Sequence, residues 1–177
     1  MPRIHSCKLP SDALLSRYRE SGAYTDCYCA DVQGVVSHAE YVEAFYSTWL
    51  FKVERQLLEW LVAKPSTDAQ ARALAAGRID AFAAWNVEAR SAAQLLLTDF
   101  QGRTRSWLMS AAVDVSGVPG TRLYFGSAVV PLVSRNTGRA RMGTAFRVLL
   151  GFHKLYSRML LGAARARLEP HTARRVS

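Results

Sequence analysis

The hydrophobic period of this 177-residue chain changes at Ile79, and this change restricts the fold that the chain can adopt. Before Ile79, apolar residues recur every three or four positions, as on one face of a helix. From 79 to 90 every odd position is apolar, while polar residues such as Asp80 and Glu88 alternate with them. The alternation predicts a strand with one buried and one solvated face. We therefore expect an α+β fold with separate helical and strand regions.

Two helices are expected before the change of period. The stretch from Ser37 to Glu40 is a capping box, in which the serine hydroxyl accepts from a backbone amide and the glutamate returns to the cap amide. It predicts a long helix from 40 to about 63 with one apolar face. Ser66 or Thr67 is expected to cap a shorter helix from 69 to 76.

The strands are expected to form an antiparallel sheet. A segment rich in Tyr, Thr, Cys and Val predicts a first strand before the helix pair. Short turns separate the later strands, which favours an antiparallel meander. The predicted strands are 23–33, 79–90, 94–100, 103–115 and 121–133.

A long helix is predicted at the end of the chain, from 142 to 168. Its apolar residues leave a narrow basic stripe that contains Arg147, Lys154, Arg158 and Arg165. We expect residues 1–22 to be a lead-in outside the core, 23–168 to be one domain and 169–177 to be a basic disordered tail.

This order of elements resembles the helix-grip domains, also called the START-like or SRPBCC superfamily, over roughly 23–168. The segments from Asp99 to Trp107 and from Gly120 to Gly126 are also similar to bacterial members of unknown function. The resemblance implies a curved antiparallel sheet wrapped around the long C-terminal helix, with the helix pair inserted after the first strand. It also implies a cavity between sheet and helix, where members bind lipids, hormones or polyketides and a minority catalyse cyclisation or hydrolysis.

The alternation along the strands predicts one sheet face that lines this cavity, with the last helix opposite. Arg105, near Asp99 at a turn, could hold a carboxylate or phosphate at the mouth, or could be an ordinary ion-paired arginine. His153 is the candidate for proton transfer, together with Arg105 or Tyr156, or is a structural histidine. The predicted ligand-binding residues are Trp85, Arg105, Trp107, Met109, Phe125, Phe152 and Tyr156.

The net charge of +9 raises the possibility of an anionic partner. Arginines are concentrated near the C-terminus, and no motif of a specific nucleic-acid binder accompanies them, so no specific nucleic-acid partner is expected. A weak contact between the basic C-terminal region and an anionic surface is the one anionic partner that the sequence leaves as a possibility. No apolar run approaches the length of a membrane span and the first twenty residues lack a secretory pattern, which predicts a cytoplasmic protein.

The three cysteines, Cys7, Cys27 and Cys29, are expected to be reduced thiols. Cys27 and Cys29 would share one face of the first strand, either packed in a core or serving a metal or redox role. No cofactor or metal is predicted. The expected function is binding of a small apolar or amphipathic molecule between sheet and C-terminal helix. The alternatives are a cyclase-like or hydrolase-like enzyme that uses the same cavity and a peripheral membrane or protein-interaction module.

Overall fold

The computed structural model describes residues 4–48, 67–130 and 156–169, and their central element is one antiparallel sheet. Within these residues the sheet has seven strands in the spatial order β1-β2-β7-β6-β5-β4-β3. The strands are β1 (His5–Ser6), β2 (Tyr24–Gln33), β3 (Ala81–Phe82), β4 (Trp85–Ser91), β5 (Gln94–Asp99), β6 (Thr104–Val115) and β7 (Val118–Val129). The helices are α1 (Ser16–Glu20), α2 (His38–Tyr46), α3 (Asp68–Ala75) and α4 (156–169). The α+β prediction is confirmed.

The antiparallel meander is also confirmed, because each strand from β3 to β7 pairs with the next one along the chain. The predicted strand from 79 to 90 is wrong in one respect. The chain reverses at Ala83, whose φ of 52° lies in the left-handed region, and the segment becomes the β3–β4 hairpin. Before this turn Phe82 is buried while Ala81 is exposed, which inverts the expected pattern.

The predicted capping box at Ser37 is present, and of the two expected caps of the second helix it is Thr67 that caps it, also in a capping box. The Ser37 hydroxyl accepts from the Glu40 amide at 3.2 Å, and the Thr67 hydroxyl accepts from the Gln70 amide at 3.2 Å. The first helix is shorter than predicted, because α2 ends at Tyr46. Hydroxyl side chains follow directly, and Thr48 donates to the carbonyl of Phe45 at 3.0 Å, which competes with continued helical bonding. The remainder of the predicted helix, 49–66, lies outside the described residues.

The inner face of the sheet is the face that α2, α3 and α4 cover. Its strands contribute buried residues such as Leu108, Leu123 and Phe125. Phe45 of α2 packs on Phe125 with 4.9 Å between ring centroids, and Leu161 of α4 is fully buried in the same core. The largest core of the described structure therefore lies between the sheet and the helices.

The outer face of the sheet is covered by the N-terminal segment, residues 7–18. Leu15 and Trp107 are both 0% exposed there, so the expectation that no core begins before residue 23 is wrong. Gln94 fixes the segment, because its side chain accepts from Leu14 N at 2.9 Å and donates to Asp12 O at 3.0 Å. The described part of the chain therefore has three layers: helices, sheet and N-terminal segment.

Gly126 of β7 lies where these outer residues come closest to the sheet. A Cβ atom there would lie 2.9 Å from the Trp107 ring and 3.0 Å from Leu15 Cδ2. We expect Gly126→Ala to lower the free energy of unfolding by about 1 to 3 kcal/mol, because overpacking forces neighbours off their positions. Urea denaturation measures this. Ala112→Ser at an exposed position of β6 is the control, and equal values for the two variants would contradict the packing.

Candidate functional site

The predicted ligand-binding residues do not share one face of the sheet. Leu108 pairs with Phe125 and Trp107 pairs with Gly126, which differs by one residue from the expected register. Because side chains alternate between faces, a shift of one residue moves a strand's side chains to the other face. Trp85 and Phe125 lie on the inner face, and Arg105, Trp107 and Met109 lie on the outer face.

The last helix contributes Tyr156, which is half-buried and packs against the inner core as expected. Met159 of the same helix is 46% exposed, and Leu160 and Leu161 take the buried positions. Phe152 and His153 lie outside the described residues, and so does the predicted helix before Tyr156. A catalytic role of His153 stays a prediction.

Arg105 is bound within the protein on the outer face. Its Nε donates to Glu88 Oε2 at 2.7 Å and to the Tyr18 hydroxyl at 2.7 Å, and its Nη1 donates to Gly102 O at 2.6 Å. The guanidinium also lies 4.7 Å from the centre of the Tyr18 ring. The ion-pair partner of Arg105 is therefore Glu88 and not the nearby Asp99, which accepts from backbone amides of its own turn. These contacts tie α1 to the sheet.

A row of polar side chains crosses the inner face, and we call it the inner polar row: Asp26, which is half-buried, and the buried Ser127, Ser106 and Tyr46. The Ser127 hydroxyl donates to Asp26 Oδ1 at 2.6 Å. Ser106 pairs with Ser127 across β6 and β7, and its hydroxyl lies 3.1 Å from the Tyr46 hydroxyl of α2. Both serines are buried, and Tyr46 is 1% exposed. The row thus places hydroxyls and one carboxylate inside an otherwise apolar layer.

Asp26 also affects the aromatic groups beside it. Burial, followed by the negative charge of Asp26, raises the pKa of Tyr24 to about 12. The same two causes raise the pKa of Tyr28. Both phenols therefore stay neutral at physiological pH and can act as hydrogen-bond donors.

Trp85 of β4 also lies on the inner face, where it pairs with Asp99 of β5. Its indole Nε1 is buried and has no hydrogen-bond partner among the described residues. A buried indole N–H normally has a partner, because leaving it unpaired costs free energy. The inner polar row and this N–H are donors and acceptors on the same face of the sheet, available to a molecule with a small polar group and an apolar body.

A second polar group of residues lies at the start of α2. His38 Nδ1 is 3.4 Å from the Ser110 hydroxyl, and its Nε2 is buried without a partner among the described residues. Burial lowers the pKa of His38 to about 4. The side chain lines a cleft of about 210 Å³ together with Arg90 and Gln94. His38 is therefore neutral at physiological pH.

Sequence reasoning missed the inner polar row, although one signal for it was present. Asp26 lies on the same face of its strand as Tyr28, Ala30 and Val32, which is otherwise apolar. Acidic residues are rare on a buried face of this kind. Ser106 and Ser127 carry no comparable signal, because serine is common on either face. In residues 4–48, 67–130 and 156–169, no cluster of three or more His, Cys, Asp or Glu side chains is arranged to hold a metal ion.

Comparison with known proteins does not assign the chain. No protein-family model matches it, and the search of curated proteins finds no significant match. None of the helices within the described ranges is long and apolar enough to cross a membrane. The proposal below therefore depends on the geometry of the inner face.

Proposed function

We propose that the protein binds a small apolar or amphipathic molecule on the inner face, between the sheet and the helices. The observation that carries the proposal is the buried Trp85 indole N–H, which has no partner among the described residues. Trp85 packs against the same inner core that contains Tyr46 of the inner polar row. The resemblance to helix-grip domains supports the same location. A binding site there lies against the C-terminal helix, in the region where Tyr156 packs.

The energetic argument concerns the unpaired N–H. A buried donor without an acceptor costs about 1 to 3 kcal/mol, and a ligand carbonyl or hydroxyl oxygen would remove this cost on binding. Aromatic rings from α2 and β7, including Phe45 and Phe125, offer apolar contacts for the body of the ligand. Polar groups of the inner polar row would orient its head.

The charge of the inner face favours a neutral head group. Arg105, which was expected to fix an acidic ligand, lies on the outer face and is paired with Glu88. Asp26, a carboxylate of the inner polar row, would repel an anion that approached that row closely. We therefore infer an uncharged molecule with at least one oxygen acceptor.

Native mass spectrometry of freshly purified protein tests whether a molecule is bound. The binding site itself is tested by titration with Nile red, which is a neutral apolar dye with a carbonyl oxygen. We expect Trp85→Phe to weaken Nile red binding by about threefold to tenfold, which corresponds to one hydrogen bond. Trp107→Phe is the matched control, since its indole donates to Gln94 Oε1 at 2.9 Å on the outer face. If the dye does not saturate the protein, or if the two variants bind it equally, the proposal is wrong.

The other two functions stay predictions. The enzymatic alternative depends on His153, which lies outside the described residues. The surface-contact alternative depends on the basic stripe of the last helix. Two of its arginines are described: Arg158 lies over the Tyr28 ring, 5.3 Å from its centre, and Arg165 pairs with Glu169. Both arginines thus have partners within the protein.

A further inference from the structure

Two thiols face each other at the edge of the sheet where β1 meets β2. Cys7 Sγ lies 3.3 Å from Cys27 Sγ, and the Cys7 amide donates to the Cys27 carbonyl at 3.0 Å. The register of β1 on β2, with His5 opposite Cys29, places Cys7 opposite Cys27. Directly opposed residues of antiparallel strands have Cα atoms about 4.5 to 5.5 Å apart, inside the range of roughly 4.4 to 6.8 Å that a disulfide spans.

Both thiols line an open groove of about 480 Å³ beside the N-terminal segment. Three basic residues line the same groove, Lys8, Arg19 and Arg158, and all three are exposed. Asp26 is the only acidic residue among the described residues that line it, and its Oδ1 accepts from Ser127. The groove therefore attracts small anions. Cys7 is half-buried and Cys27 is 4% exposed, so Cys7 is the thiol that a solute meets first.

The geometry points to a thiol–disulfide exchange site formed by Cys7 and Cys27, which reacts with an acidic low-molecular-weight disulfide of the glutathione disulfide class. This inference does not depend on the ligand proposed for the inner face. The Cys7 thiolate attacks one sulfur of the small disulfide, forming a mixed disulfide and releasing one small thiolate. The Cys27 thiolate then attacks Cys7 Sγ, forming the Cys7–Cys27 disulfide and releasing the second.

The step is balanced in electrons and protons. The two protein thiols lose two electrons and the small disulfide gains them, and the two thiol protons go to the two released thiolates. The product would join the N-terminal segment to β2 covalently at the edge of the sheet. Cys29 is the remaining thiol, and its sulfur lies 3.2 Å from His5 Nε2.

The rate of exchange should depend on pH in a distinctive way. The hydrogen bond with Cys27, together with burial, raises the pKa of Cys7 to about 12, and the hydrogen bond from Cys29 and the charge of Arg122 oppose this only in part. The reactive thiolate fraction is then small at neutral pH and grows about tenfold per pH unit. We expect the rate to rise through pH 10 without levelling, whereas an unperturbed thiol would level near its usual pKa of about 8.5.

The test uses the full chain and glutathione disulfide, with cystamine as a cationic disulfide of similar reactivity. Peptide mapping of the wild-type protein should find Cys7 joined to Cys27, and Cys29→Ser should react in the same way. Cys27→Ser should stop at a glutathione adduct on Cys7. At low salt and pH 8, where its amino groups are still protonated, cystamine should react at least about tenfold more slowly than glutathione disulfide, because it carries positive charge into a basic groove.

Three results would overturn the inference. They are a disulfide or adduct mapped to Cys29 in the wild-type protein, no oxidation of Cys7 by an excess of glutathione disulfide at pH 10, or equal rates with the two reagents. Because mapping of the wild-type protein already locates the bond, the test holds even if a serine variant does not fold.

Discussion

Trp107→Ala is expected to lower the free energy of unfolding by about 3 to 5 kcal/mol, the usual cost of truncating a buried tryptophan. Trp107 is 0% exposed and lies between the sheet and Leu15 of the N-terminal segment. Its loss would leave a cavity between two layers. It would also remove the indole N–H that donates to Gln94 Oε1. That oxygen would still accept a hydrogen bond from Leu14 N. Urea denaturation followed by circular dichroism measures the change.

The same substitution at Trp85 is the matched control. Trp85 is only half-buried on the inner face, so Trp85→Ala should cost clearly less, about 1 to 2 kcal/mol. If Trp85→Ala proved the more costly of the two, the outer layer would not be a true core. The N-terminal segment would then lie on the sheet without stabilising it.

Local signals in the sequence were sufficient for much of the fold. The starts of α2 and α3 could be predicted at Ser37 and at Ser66 or Thr67, because an N-cap side chain bonds to backbone amides only two or three positions away. The strand from Tyr24 to Gln33 and the later meander were found because short turns and β-favouring residues are also local features. Each of these elements is specified by contacts within a few residues.

The register could not be predicted because two central strands are buried on both faces. Gln94 to Leu97 of β5 and Ser106 to Met109 of β6 are buried at four consecutive positions. A strand covered on both sides loses the alternation of apolar and polar residues that reveals which face is inside. The covering segment, residues 7–18, is distant in sequence and too short to show a clear period. The turn at Ala83 was missed for a related reason, since no glycine or proline marks it.

The site residues could be predicted only in part. Trp85, Phe125 and Tyr156 pack on or against the inner core, while their role in binding a ligand stays a prediction. The partners of Arg105 could not be found from sequence spacing, because Tyr18 lies 87 residues away and Glu88 belongs to a different strand. Polar contacts of this kind form only after the sheet and the N-terminal segment have been brought together.

His38 should make the protein less stable at mildly acidic pH. Burial lowers the pKa of His38 from 6.5 to about 4, so the unfolded chain binds a proton in this range and the folded protein does not. Its contribution is therefore fully present above pH 6.5 and is lost as the pH falls towards 4. Each unit of pKa difference corresponds to about 1.4 kcal/mol. Because the side chain is partly exposed, we expect a loss of about 2 to 3 kcal/mol between pH 7 and pH 4.

Urea denaturation at a series of pH values would measure this loss, with His38→Gln as the test variant and His5→Gln, at an exposed position, as the control. The stability of His38→Gln should change less over this range, while that of His5→Gln should follow the wild-type protein. Asp31 does not interfere, because its hydrogen bond with Arg122 lowers its pKa below 3.8 and its contribution is lost only in stronger acid. An equal acid loss in wild type and His38→Gln would show that the His38 imidazole is solvated in the folded protein. The cleft beside α2 would then be open to water, and His38 would accept a proton there at its ordinary pKa.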